Sequence, residues 1–167
     1  AVLTDLFIYK RAPLVYGYRM RASARQSLKD YNGAITDYSE AIKINKATPP
    51  GSLMIEEDND KRTPEYFIYE SQPFFGRANA YMQINDYSSA LEDYTKAIDL
   101  TENVNPKGNL GVGGIPEYYR NRSFAYYYLG TEDNNKNNYL DRACDDIYYA
   151  KILGMDISKW KDSVCKF

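Results

Sequence analysis

The sequence repeats one phrase, which reads KDYNGAITDYSEAIKIN at residues 29–45 and NDYSSALEDYTKAIDLT at residues 85–101. A more divergent copy, LDRACDDIYYAKIL, occupies residues 140–153 and keeps its alanines seven residues apart. Small and large apolar residues recur at helical spacing; the shared positions are Tyr31 and Tyr87, Ala34, Ala90 and Ala143, Asp37 and Asp93, Tyr38 and Tyr94, Ala41, Ala97 and Ala150, and Ile42 and Ile98. Such a repeat predicts stacked units, because one unit cannot bury its apolar face alone.

A second amphipathic stretch precedes each copy. These stretches read YGYRMRASARQSL at residues 16–28, FFGRANAYMQI at 74–84 and YYRNRSFAYYYLG at 118–130. Each unit is therefore predicted to be a pair of helices, here called helix A and helix B. Small residues in helix A mark where the two helices must approach closely, namely Ala22, Ala78 and Ser123.

An arginine stands just before each of these small residues. Two interpretations are open for Arg21, Arg77 and Arg122. In the favoured one, each guanidinium pairs with a helix-B carboxylate, in the order Asp37, Asp93 and Asp145. In the other, the three guanidinium groups form a row that binds an acidic ligand.

The pattern resembles the tetratricopeptide repeat, which has a small residue in helix A, Ala-x3-aromatic-x2-Ala in helix B and an aromatic residue at the turn. The resemblance covers about residues 16–46, 71–102 and 116–153. It implies an all-α fold in which residues 1–167 form a single domain, a right-handed superhelical stack of antiparallel helix pairs. It also implies a non-catalytic scaffold that binds a protein or peptide in a concave groove lined by the A helices.

The spacing between repeats is longer than the roughly 34 residues typical of this family. Ala34 and Ala90 are 56 residues apart, and Ala90 and Ala143 are 53 apart. We expect insertions at about residues 47–70, read as a small hairpin of LMI and YFIY or as an irregular loop, and at about 103–115. TEDNNKNN at 131–138 should lengthen the last inter-helix turn, and residues 154–167 are predicted to form a C-terminal capping helix.

Composition excludes much site chemistry. The chain has no histidine, so imidazole-dependent triads and zinc or iron sites are not available, and no catalytic residue, metal or cofactor is assigned. A net charge of −2 without a basic block argues against nucleic acid as a partner. No apolar run is long enough to span a membrane. The rival interpretations are an accessory domain of a larger assembly or enzyme, or a self-associating repeat fragment, with a homo-oligomer possible. An exposed apolar first helix would favour the fragment.

The family resemblance also assigns residues to the concave groove. Its helix-A positions are Tyr16, Arg19, Ser23 and Gln26, then Gln72, Phe75, Asn79 and Met82, then Glu117, Arg120, Phe124 and Tyr127. Rings and amides there would suit an extended or helical peptide. The chaperone-binding clamp of one family branch is not favoured, because Phe75 stands where its first Lys should be.

Cys144 and Cys165 are the only cysteines. They are predicted to lie on touching elements and could form a disulfide, which would indicate an oxidising compartment, or remain free thiols. The compartment is therefore open between the cytoplasm and the periplasm or another exported location. A cysteine in the last helix B, a following glycine and a terminal cysteine are similar to repeat proteins of bacterial origin.

Overall fold

Six helices make up the computed structural model, which describes residues 2–46, 64–102, 114–132, 136–158 and 165. No strand occurs in these ranges. The helices are α1 (Val2–Ser27), α2 (Tyr31–Lys46), α3 (Pro64–Gln83), α4 (Tyr87–Thr101), α5 (Pro116–Glu132) and α6 (Lys136–Ile152).

The helices stack in chain order. α1 packs on α2, α3 on α4 and α5 on α6, while α2 contacts α3 and α4 contacts α5. The first pair is antiparallel, because Arg21 of α1 meets Asp37 near the middle of α2, whereas Arg25, one turn further along α1, meets Gly33 at the start of α2. The predicted all-α stack of helix pairs is confirmed; its right-handed sense and its division into repeats, insertions and cap stay predictions.

The turns inside the first two pairs have the same construction. Lys29 and Asn85 adopt positive φ angles of 62° and 61°, and the amide of the next residue bonds back to the carbonyl five residues earlier. This is the Schellman ending of a helix. Asp30 and Asp86 follow, and each carboxylate accepts a hydrogen bond from the backbone amide three residues on, which starts helix B.

Small residues let the helices approach closely. Ala34, Ala41, Ala90 and Ala97 are fully buried, as predicted, and so are the helix-A residues Ala22, Ala78 and Ser123. One close approach between repeats is at Gly76, where a Cβ atom would lie 2.4 Å from the Tyr38 ring. This contact requires glycine.

A bidentate ion pair ties helix A to helix B in every repeat. Arg21 pairs with Asp37 and Arg77 with Asp93, both as predicted. In the third repeat the partner of Arg122 is Asp146. The prediction of Asp145 was therefore wrong, and Asp146 is three residues after Ala143, as Asp37 is after Ala34.

The secondary structure of some segments also differs from the prediction. Residues 66–69, read as a strand or loop, belong to α3, which begins at Pro64; the partner segment LMI lies outside the described residues. Thr131 and Glu132 still belong to α5, so part of the predicted long turn is helical. Residues 155–158 and 165 are not helical, and residues 159–164 of the predicted capping helix lie outside the described part.

A disulfide joins Cys144 of α6 to Cys165, with the two Cα atoms 5.4 Å apart. Cys165 is buried against Tyr126, Ala143 and Ile147. α6 ends in a Schellman turn, in which Gly154 has a φ of 101° and Met155 bonds back to Ala150. The chain therefore folds back over the last helix pair. None of the helices described is both long and apolar enough for a membrane span.

Candidate functional site

An open groove of about 790 Å³ crosses the three repeats near the C-terminal ends of the A helices. α1, α3 and α5 supply most of its walls, and the start of helix B contributes in the first two repeats. Its lining consists of Ser23, Gln26, Ser27, Tyr31, Asn79, Met82, Gln83, Asn85, Tyr87, Tyr94, Asn121, Phe124 and Tyr128.

Two asparagines form the polar centre of the groove. Asn79 Oδ1 accepts hydrogen bonds from the Tyr94 hydroxyl at 2.6 Å and from Asn121 Nδ2 at 2.9 Å. Arg120 donates from Nε and Nη2 to Asn121 Oδ1 at 3.0 and 2.9 Å. These bonds set the amide orientations, because each oxygen faces only donors. The second and third repeats are thereby joined by a fixed row of amides.

Tyrosine rings line the side of the groove that is formed by the turns between helix A and helix B, here called its tyrosine end. Tyr87 at the start of α4 and Tyr128 near the end of α5 stack face to face, with centroids 4.9 Å apart and ring planes 12° apart. The Tyr31 hydroxyl points to Gln83 Oε1 at 3.5 Å. Because Tyr128 is 42% exposed, its ring presents apolar surface to anything that enters this end.

Among the described residues, the groove lining carries no Lys, Arg, Asp or Glu side chain. The hydroxyl of Tyr94 remains protonated, because burial raises its pKa well above the ordinary value, against the opposite effects of Asn121 and Arg120. In the first repeat, the Tyr38 hydroxyl donates to Gln26 Oε1 at 2.9 Å, and burial also raises the pKa of Tyr38. The groove therefore offers neutral hydrogen-bonding groups and rings.

Two family models, each described as a tetratricopeptide repeat, match residues 17–48 and 72–104. The first range covers the later part of α1 and all of α2, and the second covers the later part of α3 and all of α4. The chain is a tetratricopeptide repeat protein. Repeats of this family generally mediate protein–protein interaction. No curated protein gives a significant match. The matches do not bear on a bacterial origin, which stays a prediction.

In this tetratricopeptide repeat protein, part of the predicted groove set comes together. Gln26, Asn79, Met82 and Phe124 all line the groove, and so does Ser23. Arg120 lies beside it, in contact with Asn121.

The other predicted groove residues lie elsewhere. Phe75 stacks on Tyr118 with centroids 4.4 Å apart and packs into the core. Arg19 donates a hydrogen bond to Gln72 and covers the Tyr69 ring. Three more positions are outside the groove lining: Tyr16 and Glu117, which are exposed, and Tyr127, which packs against the cluster around Ile147.

Sequence reasoning missed the tyrosine end of the groove. Tyr31 and Tyr87 recur in the repeated phrase but were not assigned to the groove. Tyr128 lies six residues after Arg122, as Gln83 does after Arg77, so the helix-A alignment contained the signal that it shares a face with Gln83. Ser27, Asn85 and Asn121 also line the groove without having been assigned to it.

The repeated arginines do not form a ligand-binding row. Arg77 and Arg122 each hold a buried carboxylate with two nitrogen atoms, at 2.7 to 2.8 Å. Arg21 makes the same contacts with Asp37. Their structural interpretation is confirmed. Over the described residues, no three carboxylate or cysteine groups gather where they could hold a metal ion.

Proposed function

We propose that the groove binds an extended, uncharged segment of a partner protein. The observation that carries this proposal is a lining of amides, hydroxyls and rings in which none of the described residues has an ionised side chain. A charged side chain that entered the groove would lose hydration and gain no ion pair from the lining. A neutral segment has a smaller desolvation cost, because its peptide groups exchange hydrogen bonds with water for hydrogen bonds with the groove amides.

The paired asparagines suit a peptide backbone. A side-chain amide has the same donor and acceptor groups as a peptide unit, and its nitrogen carries two hydrogens. The bond from Asn121 to Asn79 uses one of these hydrogens. Because neighbouring groups already hold both amides, little side-chain entropy is lost on binding.

The tyrosine end suits a proline or another compact apolar side chain. Tyr87 and Tyr128 are already stacked, so their rings need not be ordered by the ligand. Aromatic surface that is fixed before binding contributes strongly to protein recognition. Met82 and Phe124 extend this apolar surface along the groove. We therefore infer a ligand with an apolar anchor at one end and exposed peptide groups beside it.

The test is selection of phage-displayed random dodecapeptides on the full chain. We expect enriched peptides to have few charged residues and to contain proline or aromatic anchors. Tyr128→Ala should weaken their binding about tenfold, as removal of an interface tyrosine commonly does. Asn121→Leu should also weaken binding, because it removes the amide beside Asn79.

Tyr148→Ala is the matched control. Tyr148 is an exposed tyrosine on α6 that does not line the groove, so this variant should bind the selected peptides as the parent does. Enrichment of acidic peptides, or of peptides that require a free carboxyl terminus, would contradict the proposal. Equal losses in Tyr148→Ala and Tyr128→Ala would place the binding surface elsewhere.

A further inference from the structure

The contact between successive repeats is built twice in the same way. Arg77 Nη1 donates to Ser39 Oγ of the preceding helix B at 2.9 Å. Arg122 Nη1 donates to Thr95 Oγ1 of its preceding helix B at 3.3 Å. Ala80 and Ala125, each three residues after its arginine, are fully buried at these contacts. One face of helix A thus packs against helix B of the preceding repeat.

The corresponding face of α1 is uncovered over the part of the chain that the structure describes. Ala24, at the place of Ala80 and Ala125, is exposed. Met20 and Leu28, on the same face at helical spacing, are 52% and 80% exposed. The Arg21 side chain is 57% exposed, whereas those of Arg77 and Arg122 are 21% and 15% exposed. α1 therefore presents an inter-repeat surface without the helix that covers it in the other repeats.

We propose that this outer face of α1 binds an amphipathic helix of a partner protein. The two existing contacts define that helix. The surface that α2 presents to α3 carries Ile35, Ser39 and Ile42, and α4 presents Leu91, Thr95 and Ile98 to α5. The partner helix therefore carries an aliphatic residue, a hydroxyl residue four positions later and an isoleucine three positions after that. Its hydroxyl accepts from Arg21 Nη1.

A second copy of this chain does not supply such a helix by stacking its last pair on α1. The equivalent positions of α6 are Cys144, Tyr148 and Lys151, which replace the aliphatic residue, the small hydroxyl residue and the isoleucine. Cys144 is also bonded to Cys165, so Cys165 lies against this part of α6. The two ends of the stack are therefore not complementary, and a second copy does not fill the α1 face by end-to-end stacking.

Methionine methyl NMR tests this proposal independently of the groove. The chain has four methionines, of which Met20 lies on the α1 face and Met82 in the groove. The probe is a capped peptide with the sequence of residues 86–101, which carries the α4 pattern. On titration into the full chain, it should shift the Met20 methyl signal and leave that of Met82 unchanged. Ala24→Arg should weaken the interaction at least about tenfold, because the charge and bulk occupy the docking face.

The chain offers a matched control peptide, the α6 sequence of residues 136–152 with Cys144 replaced by Ser. It should not shift Met20. Equal binding of both peptides, or no Met20 shift at millimolar peptide, would overturn the proposal. Concentration-dependent Met20 shifts in the protein alone, abolished by Ala24→Arg, would also overturn it by making a second copy the occupant. A groove peptide that shifts only Met82 tests the proposed function separately, so the two can fail independently.

Discussion

The first and third repeats contain the same arginine–aspartate pair in different surroundings. Arg21 lies at the uncovered face of α1, and its hydrogen bonds to Asp37 hold the pKa of that carboxyl below its ordinary value. Arg122 is covered by α4, and burial raises the pKa of its partner Asp146 against the opposite pull of the guanidinium. The same ion pair thus lies in two different surroundings, because the Arg21 side chain is 57% exposed and that of Arg122 is 15% exposed.

The largest difference should appear when the arginines are removed. Arg122→Met leaves the buried Asp146 carboxylate without its partner, so we expect a loss of about 3 to 5 kcal/mol in the free energy of unfolding. Arg21→Met should lose much less, because Arg25 Nη1 also lies 3.2 Å from Asp37 Oδ2. Urea denaturation of both variants at neutral pH measures the difference. Similar losses would show that coverage by a neighbouring repeat does not set the strength of this pair.

The disulfide should stabilise the third repeat. The first repeat contains no cysteine and therefore has no such bond. Its cysteines are 21 residues apart, and closing a loop of this length stabilises the folded state by roughly 3 kcal/mol in the chain-entropy model. Cys165→Ser should therefore lower the free energy of unfolding and increase hydrogen exchange in α6 more than in α1. If the hydrogen-exchange rate rises equally in α1 and α6, the disulfide does not stabilise the third repeat specifically.

Enlarging an alanine should lower stability at a covered helix-A face and have little effect at the uncovered face of α1. Ala80→Leu must force the α2–α3 contact apart, and overpacking of this kind costs about 1 to 3 kcal/mol. Ala24→Leu adds the same atoms at the equivalent exposed position and should leave thermal stability nearly unchanged. Thermal unfolding of the two variants is the measurement, and equal destabilisation would contradict the alignment of α1 with α3.

The buried tyrosines should make the free energy of unfolding depend on pH in the alkaline range. The repeats differ in these residues, because Ile147 of the third repeat stands at the position of Tyr38 and Tyr94. Burial raises the pKa of Tyr94 and raises that of Tyr119 to about 12. Stability is therefore fully present below the unfolded pKa of about 10 and falls as pH rises toward the folded values.

Tyr94→Phe should reduce this loss between pH 10 and pH 12 by up to about 1.4 kcal/mol per pH unit. Urea midpoints measured across that range test the effect. Tyr148→Phe removes an exposed hydroxyl and serves as the control. A slope that is identical in Tyr94→Phe and the parent would rule out Tyr94 as a source of the alkaline loss.

Contacts that recur at equivalent positions of the repeats could be predicted from the sequence. The alanine spacing located the closest contacts, and the recurrence of Arg21 and Arg77 located their ion pairs. Where local preference and tertiary packing disagreed, the prediction failed. The aromatic and β-branched run YFIY reads as a strand, yet it continues the helix that packs on α4.

The groove was only partly predictable, because helix periodicity defines a face but not which part of it a neighbouring repeat covers. Phe75 and Met82 are seven residues apart on one face of α3. Phe75 nevertheless packs against Tyr118 of the next repeat, while Met82 opens into the groove. Side chains from the start of helix B, such as Tyr87, enter the groove from a different element and leave no signal in the helix-A pattern.

The groove crosses a stack whose helices interact mainly with near neighbours. Among the described residues, no helix of the first pair contacts one of the third, so no direct helix contact couples their unfolding. Gln26, Asn79 and Phe124 nevertheless line one groove and belong to three different repeats. A ligand that touches all three acts as the missing long-range contact. Its binding should merge separate local openings into one cooperative unfolding transition, with a steeper denaturation curve as well as a higher midpoint.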